Sequence, residues 1–510
     1  MLPPDFLNAL QHAQGGDNVL TDPADCWPYG YDNSRRHALP EAVAFATDHD
    51  AVRDIVRLCY ECQVPLVARG RGTGTTGATV PLQGGVVLSL ERMDEILHVD
   101  VDNRVMVVQP GVTNQAVQEA AAAHGFFWPP DPTSAAFCTV GGNLAYNSAG
   151  PRAVKYGTPR ENTLGLRAVT GSGAEIRTGV YTTKGVVGYD LTRLLIGSEG
   201  TLAVITEATL KLTPLPETKR LLQAVYRDMG SAAAAVSRIM AQAVTPCALE
   251  FIDGRAIAMI RDYAQVPPQK PAVEGRTNIP SPSGRRWPAG PDEGERLPGS
   301  GAQSADAGAG WPLPEQAGAL LMIEVDGQHA AIDAAVDCIL TAAANPGLLE
   351  IKAAGNDAET AALWATRKAL SPALRTIAPK KINEDVVVPV SRMAELIGGL
   401  EALAGEFAIT IVNFGHAGNG NIHVNLLVNP DDPAEMQRAE RCLDRVFDLV
   451  LKLDGTLSGE HGVGIEKRDF IAREIAAPAL ELMRGIKDLF DPKGILNPGK
   501  MLPTPKADSR

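Results

Sequence analysis

The stretch Val67-Ala-Arg-Gly-Arg-Gly-Thr-Gly-Thr-Thr-Gly77 decides how the first half of the chain is read. Gly72, Gly74 and Gly77 fit the spacing GxGxxG, which in a Rossmann fold follows a strand and opens a helix. Here the loop runs on into Ala78-Thr-Val-Pro81 and the pair Gly84-Gly85. Proline and paired glycine break a helix. The loop is therefore expected to join two short strands, over residues 65–68 and 85–90. Such a loop keeps many unshielded backbone N–H groups, and a nest of them suits a pyrophosphate. A plain glycine turn is the alternative.

Working outward, residues 51–62 read as a helix. Val52, Ile55, Val56 and Cys59 fall on one face, and Thr47 or Asp48 can cap it. A strand is expected at 104–109 and an alanine-rich helix at 114–124, stopped by Gly125. Residues 166–170 and 175–178 flank Gly171-Ser-Gly173 as a hairpin, and a β-branched strand is expected at 201–212. Pro214-Leu-Pro216 marks a boundary. Beyond it, strands at 221–226, 248–252 and 319–325 alternate with helices at 231–242 and 330–344. Residues 265–318, dense in Pro, Gly, Ser and charge, read as a disordered insertion.

Two further glycine-rich stretches carry hydrogen-bonding groups without bulk. Pro130-Asp-Pro-Thr-Ser134 leads to Cys138-Thr-Val-Gly-Gly-Asn143 and Asn147-Ser-Ala-Gly150, and Gly197-Ser-Glu-Gly200 turns into a strand through Ile205. Late in the chain come Asn413-Phe-Gly-His416-Ala-Gly-Asn-Gly-Asn421-Ile-His423-Val-Asn425 and Ser458-Gly-Glu460-His461-Gly-Val-Gly464. Residues 422–428 alternate like a strand, so His423 and Asn425 share a face. Two His across a tight turn, beside a carboxylate, form a common catalytic divalent-metal set with open positions. The alternative is that these His pack in a core or cap loops.

Composition bounds the rest. The chain has 510 residues, is 45% hydrophobic and carries a net charge of −13, so a general nucleic-acid binder is not expected. Its 7 cysteines are scattered and offer no iron–sulfur cluster. Cys59 and Cys62 form a CxxC inside the expected helix, where packing is the expected role. Neither a signal peptide nor a membrane span is visible, and a cytoplasmic location is expected, with peripheral attachment to the inner membrane left open.

The motifs RGRGTGTTG, CTVGGNLAYNSAG and GSEGTLAVIT, in that order, resemble the FAD domain of the vanillyl-alcohol oxidase and p-cresol methylhydroxylase superfamily, over most of residues 38–215. GHAGNGNIHVN, SGEHGVG and the closing Phe490-Asp-Pro-Lys-Gly-Ile-Leu-Asn-Pro498-Gly-Lys500 resemble the C-terminal domain of FAD-linked D-2-hydroxy acid dehydrogenases. The resemblance implies an α+β chain. A two-subdomain FAD-binding domain would span 1–215, and an α+β substrate (cap) domain with an antiparallel sheet 216–450. A C-terminal segment, 451–510, would return to the FAD domain.

The same resemblance implies that Arg69, Gly70, Arg71, Gly72, Thr73, Gly74, Thr75 and Gly77 meet the pyrophosphate. Pro130, Thr139, Gly141, Gly142, Asn143, Ser148, Gly200, Ile205 and Asn497 would also line FAD. Thr73 stands where some relatives carry a flavin-linked His, so non-covalent FAD is expected, and Cys138 is expected to be a packed thiol. His416, His423 and Glu460 would ligate a divalent metal, zinc or manganese, and Asn419 stands where many relatives carry Asp. His461 would be the general base, with Arg367, Lys381 and Asn425 binding substrate. The implied reaction oxidises a D-2-hydroxy acid to the 2-oxo acid by hydride transfer to flavin N5. D-lactate is favoured over D-2-hydroxyglutarate or glycolate. Electrons would leave to a quinone, a cytochrome or an electron-transfer flavoprotein, and a homodimer is compatible with the sequence. The alternatives are a metal-independent flavin oxidase of the same superfamily and the FAD subunit of a multi-subunit dehydrogenase.

Overall fold

The computed structural model describes residues 2–265 and 313–503. Of the expected insertion, residues 266–312 lie outside the described residues.

The first sheet explains the glycine loop. The strand Ala42–Phe45, buried along its whole length, runs parallel to Val86–Ser89, which runs parallel to Leu66–Arg69 on its other side. Parallel neighbours need a crossover, and the helix His49–Cys62 supplies it. Its Val52, Ile55, Val56 and Cys59 are buried, and Asp48 caps it by accepting from the amide of Ala51 at 2.8 Å. Both cysteines of the CxxC are free; Cys59 packs in the core as expected, while Cys62 is exposed and does not. The loop after Arg69 leaves the carboxyl end of its strand, where open α/β sheets bind ligands.

A second, antiparallel sheet orders Ile96–Asp100, Val105–Val108, Ala203–Lys211, Thr163–Thr170 and Glu175–Gly179. The expected hairpin turns at Gly173, whose φ of +77° only glycine adopts freely. The C-terminal segment docks on the first sheet. Leu496 bridges Leu66 in parallel, and the amide of Asn497 donates to the carbonyl of Leu66 at 2.7 Å.

The third sheet is antiparallel and has seven strands. Their order is Leu348–Ala353, Thr218–Tyr226, Ala319–Gly327, Ala248–Asp253, Thr410–His416, Asn421–Val428 and Lys380–Val387. One face, with Leu222, Ile323, Val386 and Leu426, is covered by the helices Met229–Ala241, Ile332–Ala343, Met393–Phe407 and Pro433–Lys452. On the other face Leu221, Leu320, Val412 and Phe414 pack against Leu363, Leu370 and Leu374 of the helix Asp357–Ile377. The sheet bears out the α+β expectation. Its outer strand Lys380–Val387 had no clear signal in the sequence, because Lys380-Lys-Ile-Asn-Glu-Asp385 does not alternate.

Candidate active site

The second face of the seven-stranded sheet carries the polar residues. Antiparallel register makes Glu250 the Cα partner of His416, Phe414 that of His423, and Asp385 that of His423 from the other side. Cross-strand partners point the same way, so four strands deliver their side chains to one patch. The turn at Gly420 (φ +70°) folds His416 back beside His423. Ligand atoms of His416, His423 and Glu460 all lie within 4.8 Å of one another. Glu460 Oε1 is 3.3 Å from His416 Nε2 and 3.7 Å from His423 Nε2.

Their electrostatics fit a metal set. Burial opposes protonation of His416, but Glu250 and Glu460 outweigh it and raise its pKa to about 10. Burial, reinforced by His416 and His461, pushes His423 down to about 3. Glu460 is partly buried, which opposes its charge, yet the charged His416 beside it holds its carboxyl well below the usual range. On His416, Nδ1 donates to Glu250 Oε1 at 2.5 Å, which leaves Nε2 aimed at Glu460. A carboxylate behind the imidazole is the usual support of a metal-bound His.

Glu460 belongs to a segment held from both sides. From the sheet, Asp385 Oδ2 accepts from the consecutive amides of Gly459, Glu460 and His461 at 2.9, 2.6 and 2.8 Å. From the first half of the chain, Glu199 accepts from the amides of Val463 and Gly464 at 2.6 and 2.7 Å. Gly150 donates its amide to Glu460 Oε2 at 3.1 Å, Ser148 Oγ donates to the Glu460 carbonyl at 3.3 Å, and Thr76 Oγ1 donates to the His461 carbonyl at 3.3 Å. The His461 ring stacks on His423 at 5.3 Å, and its Nδ1 lies 3.4 Å from Asp385 Oδ1.

The other residues expected to bind substrate lie at different places. Arg367, on the helix Asp357–Ile377, reaches Glu250 Oε2 through Nε at 2.9 Å and Nη2 at 2.8 Å, with its guanidinium 4.8 Å above the Phe414 ring. Asn425 turns its amide N–H groups into the sheet, toward the carbonyls of Val412 and His423, and its buried Oδ1 has no partner among the described residues. Lys381 is half-buried in register with Leu427, four residues along the strand from Asp385, or about 13 Å at strand spacing.

The glycine loops fit FAD. Gly70 and Gly74 press against the stretch 139–146: a Cβ on Gly70 would stand 2.5 Å from Thr139 Oγ1, and one on Gly74 2.6 Å from the Tyr146 hydroxyl. A Cβ on Gly141 would stand 2.7 Å from Pro110. Among the described residues, no backbone N–H of Arg71, Gly72, Thr73, Gly74 or Thr75 donates within the chain, so this row of donors is available to an anion. Thr139 caps the short helix Val140–Tyr146 through the amide of Gly142, which places Gly141 and Gly142 in its first turn. Asn143 Oδ1 accepts from Asn114, Pro130 gives Asn114 its carbonyl, Gly200 turns at φ +68°, and Ile205 is buried in its strand.

Not every residue implied for FAD has its side chain free. Arg69 is buried and donates to the Tyr31 carbonyl at 2.6 Å, so it braces the loop from behind. Arg71 lies 3.7 Å from Glu91. Asn497 donates to the Glu199 carbonyl at 2.7 Å and accepts from Lys500 at 3.0 Å. Cys138 is buried, with Sγ 3.7 Å from Asn143 Oδ1, a packed thiol.

Glu250, Asp385 and Glu199 escaped the sequence reading. The one available signal was a lone acid in an apolar setting, as in Ala248-Leu-Glu-Phe-Ile252, because a buried carboxylate needs partners.

A glycine-loop fold suited to FAD, joined to a polar patch on the seven-stranded sheet, points to a flavin-linked oxidoreductase. Residues 40–179 match the FAD binding domain family, and residues 215–501 match the family described as FAD linked oxidases, C-terminal domain. The chain belongs to this FAD-linked oxidase family. It is 35% identical to the glycolate oxidase subunit GlcD of Bacillus subtilis, over 98% of this chain and 97% of that protein. It is 32% identical to a D-lactate dehydrogenase of Anaerostipes hadrus, over 91% of this chain and 90% of that protein. Its fold is similar to that of p-cresol methylhydroxylase, with a TM-score of 0.74 at 17% identity, over 99% of this chain and 97% of that one. Among the described residues, no helix is long and apolar enough to cross a membrane.

Proposed function

We propose that the chain oxidises a D-2-hydroxy acid to the 2-oxo acid, with D-lactate ahead of D-2-hydroxyglutarate and glycolate. The observation that carries this reading is the position of Glu460. One carboxylate oxygen meets Gly150 beside the FAD loops, and the other meets His416 and His423 on the sheet. Substrate gathered by these ligands would face the flavin. The names of the relatives, a glycolate oxidase subunit and a D-lactate dehydrogenase, support the substrate class.

In this reading His416, His423 and Glu460 hold zinc or manganese, which lowers the pKa of the substrate hydroxyl when bound. His461 takes the hydroxyl proton. Arg367 clamps the carboxylate through the guanidinium edge that Glu250 leaves open, and Asn425 and Lys381 complete the substrate contacts. Arg69, Gly70, Arg71, Gly72, Thr73, Gly74, Thr75, Gly77, Pro130, Thr139, Gly141, Gly142, Asn143, Ser148, Gly200, Ile205 and Asn497 would hold FAD non-covalently, and the flavin would supply at N5 the acceptor for the C2 hydride. The working division is 1–215 for the cofactor, 216–450 for the substrate and 451–510 returning to the cofactor domain. Electrons pass on to a quinone, a cytochrome or an electron-transfer flavoprotein. All seven cysteines are free, which suits the cytoplasm, with attachment to the inner membrane as a peripheral protein.

The test is an anaerobic visible spectrum of the purified protein with D- and L-lactate, D- and L-2-hydroxyglutarate, and the achiral glycolate. Bleaching of the flavin band by one of the three acids is expected, and for lactate or 2-hydroxyglutarate by the D-form alone. Bleaching by none, or equally by both enantiomers, overturns the reading. A second reading, the FAD subunit of a larger dehydrogenase, is favoured by the word subunit in the name of the Bacillus relative. It predicts that flavin bleaches in the isolated chain while steady turnover requires a co-purifying partner.

A further inference from the structure

We infer that Glu250 is a positioning residue that couples the divalent-ion site to the clamp for the substrate carboxylate, an inference that rests on the function proposed above. Glu250 sits in the middle of the strand Ala248–Asp253 and is 1% exposed. Both of its oxygens are engaged. Oε1 accepts from His416 Nδ1 at 2.5 Å, and Oε2 accepts from Nε and Nη2 of Arg367 at 2.9 and 2.8 Å. One buried carboxylate thus sets the tautomer of an ion ligand and the rotation of the guanidinium.

The chemistry of this bridge is specific to a carboxylate. Both partners are donors, and only an acceptor at each end satisfies them. Glutamine would accept from one partner and turn its own N–H groups on the other. The Nε–Nη2 edge of Arg367 is taken by Glu250, and among the described residues no partner is seen for Nη1, the edge that would meet a second carboxylate. Phe414 lies under the same guanidinium at 4.8 Å, a cation–π contact that adds to its placement.

Charge gives the bridge a second effect. Glu250 and Glu460, Arg367 and a divalent ion together leave a single positive charge, which a monoanionic hydroxy acid neutralises. Replacing Glu250 by a neutral residue adds a positive charge beside the ion and weakens its retention. Because both sites lean on the same carboxylate, affinity for ion and affinity for substrate are linked and the linkage is reciprocal.

The experiment is a calorimetric zinc titration of FAD-loaded, chelator-stripped protein, for the wild type, Glu250→Gln and Glu250→Asp. It is followed by titration of each zinc-loaded protein with D-lactate under anaerobic conditions, read from the flavin band. Flavin content and thermal midpoint check that each variant is folded. The expected result is a zinc Kd raised about 10–100-fold in Glu250→Gln. Glu250→Asp, which keeps the charge, falls between, and both variants weaken D-lactate. Wild-type zinc affinity in both variants overturns the inference, and so does weakened zinc with unchanged D-lactate affinity. A wild-type protein that takes up neither zinc nor manganese overturns the proposed function itself, which separates the two failures. If Glu250→Gln loses its flavin, the aspartate variant alone decides between these outcomes.

Discussion

Glu250 and His416 are Cα partners on neighbouring strands, and the carboxylate of one stands 2.5 Å from Nδ1 of the other. The imidazole is thereby fixed with Nε2 toward Glu460 before any ion arrives. The ion ligands and the FAD loops meet through the 459–464 segment but use different residues, so the ion should be removable without the flavin. Chelation is expected to abolish D-acid turnover while the bound flavin spectrum persists, and zinc or manganese should restore the rate. Full turnover in chelated protein would favour the metal-independent oxidase.

The base can be tested separately from the ligands. His461 faces Asp385 at 3.4 Å through Nδ1 and stacks on His423, so Nε2 is its remaining nitrogen for a substrate proton. His461→Asn should keep FAD and zinc and slow flavin reduction by about 10²–10⁴-fold, the usual worth of a general base. Stopped-flow reduction at saturating D-acid measures it. A rate within a few-fold of wild type sinks the assignment.

The parts legible in the sequence were those whose signals are local. The helix His49–Cys62 showed its apolar face and its Asp48 cap, and the Gly171–Gly173 turn showed its hairpin. The His416–His423 turn showed the two imidazoles that the structure brings together, because glycines and His cluster within a few residues. What stayed hidden depends on distant register. Glu250 and His416 are 166 positions apart, and Asp385 and His461 are 76 apart. Nothing in an apolar strand announces which remote donor its single carboxylate will meet. Arg367 was found as a residue, but its pairing with Glu250 follows from a helix laid across a sheet whose strand order is not sequential.

Close contact between the two glycine loops makes flavin binding sensitive to one methyl group. A Cβ at position 74 would stand 2.6 Å from the Tyr146 hydroxyl, with the next ring atom at 3.0 Å. Gly74→Ala should therefore lower the bound-flavin ratio in purified protein. Gly74→Ala combined with Tyr146→Phe, which removes the obstructing oxygen, should recover part of it. A single variant with full flavin would show that the loops separate at no cost.

Asp385 supports both chemistry and stability. It is fully buried and pairs with the buried Lys467 at 2.5 Å, in addition to the amides at 459–461. Asp385→Asn leaves Lys467 with Glu384 alone, at 3.3 Å. Removing one partner of a buried pair costs about 3–5 kcal/mol when the charge left behind has no counter-ion, and because Glu384 remains the expected cost is smaller. The urea midpoint should fall accordingly, and Asp385→Asn with Lys467→Met should regain part of the loss. Adding Glu384→Gln to that pair, so that no buried charge is orphaned, and still finding no recovery would place the cost in the amide contacts instead.

Lys500 predicts the response of stability to alkaline pH. Its ammonium group is buried, donating to the carbonyls of Ala78 and Val80 and to Asn497 Oδ1. Burial lowers its pKa from 10.5 to about 8, against the attraction of Asp32 and Glu199. Between those two values the unfolded chain holds a proton that the folded chain has released. Stability contributed at this position therefore rises as pH climbs through that window, and below about 8 both states are charged and the burial cost is felt in full. Lys500→Met has no such proton to lose. The difference in urea midpoint between the methionine variant and the wild type should favour the variant most near neutral pH and narrow as the pH approaches 10.5. A constant difference across that range would mean that Lys500 keeps its proton in the fold.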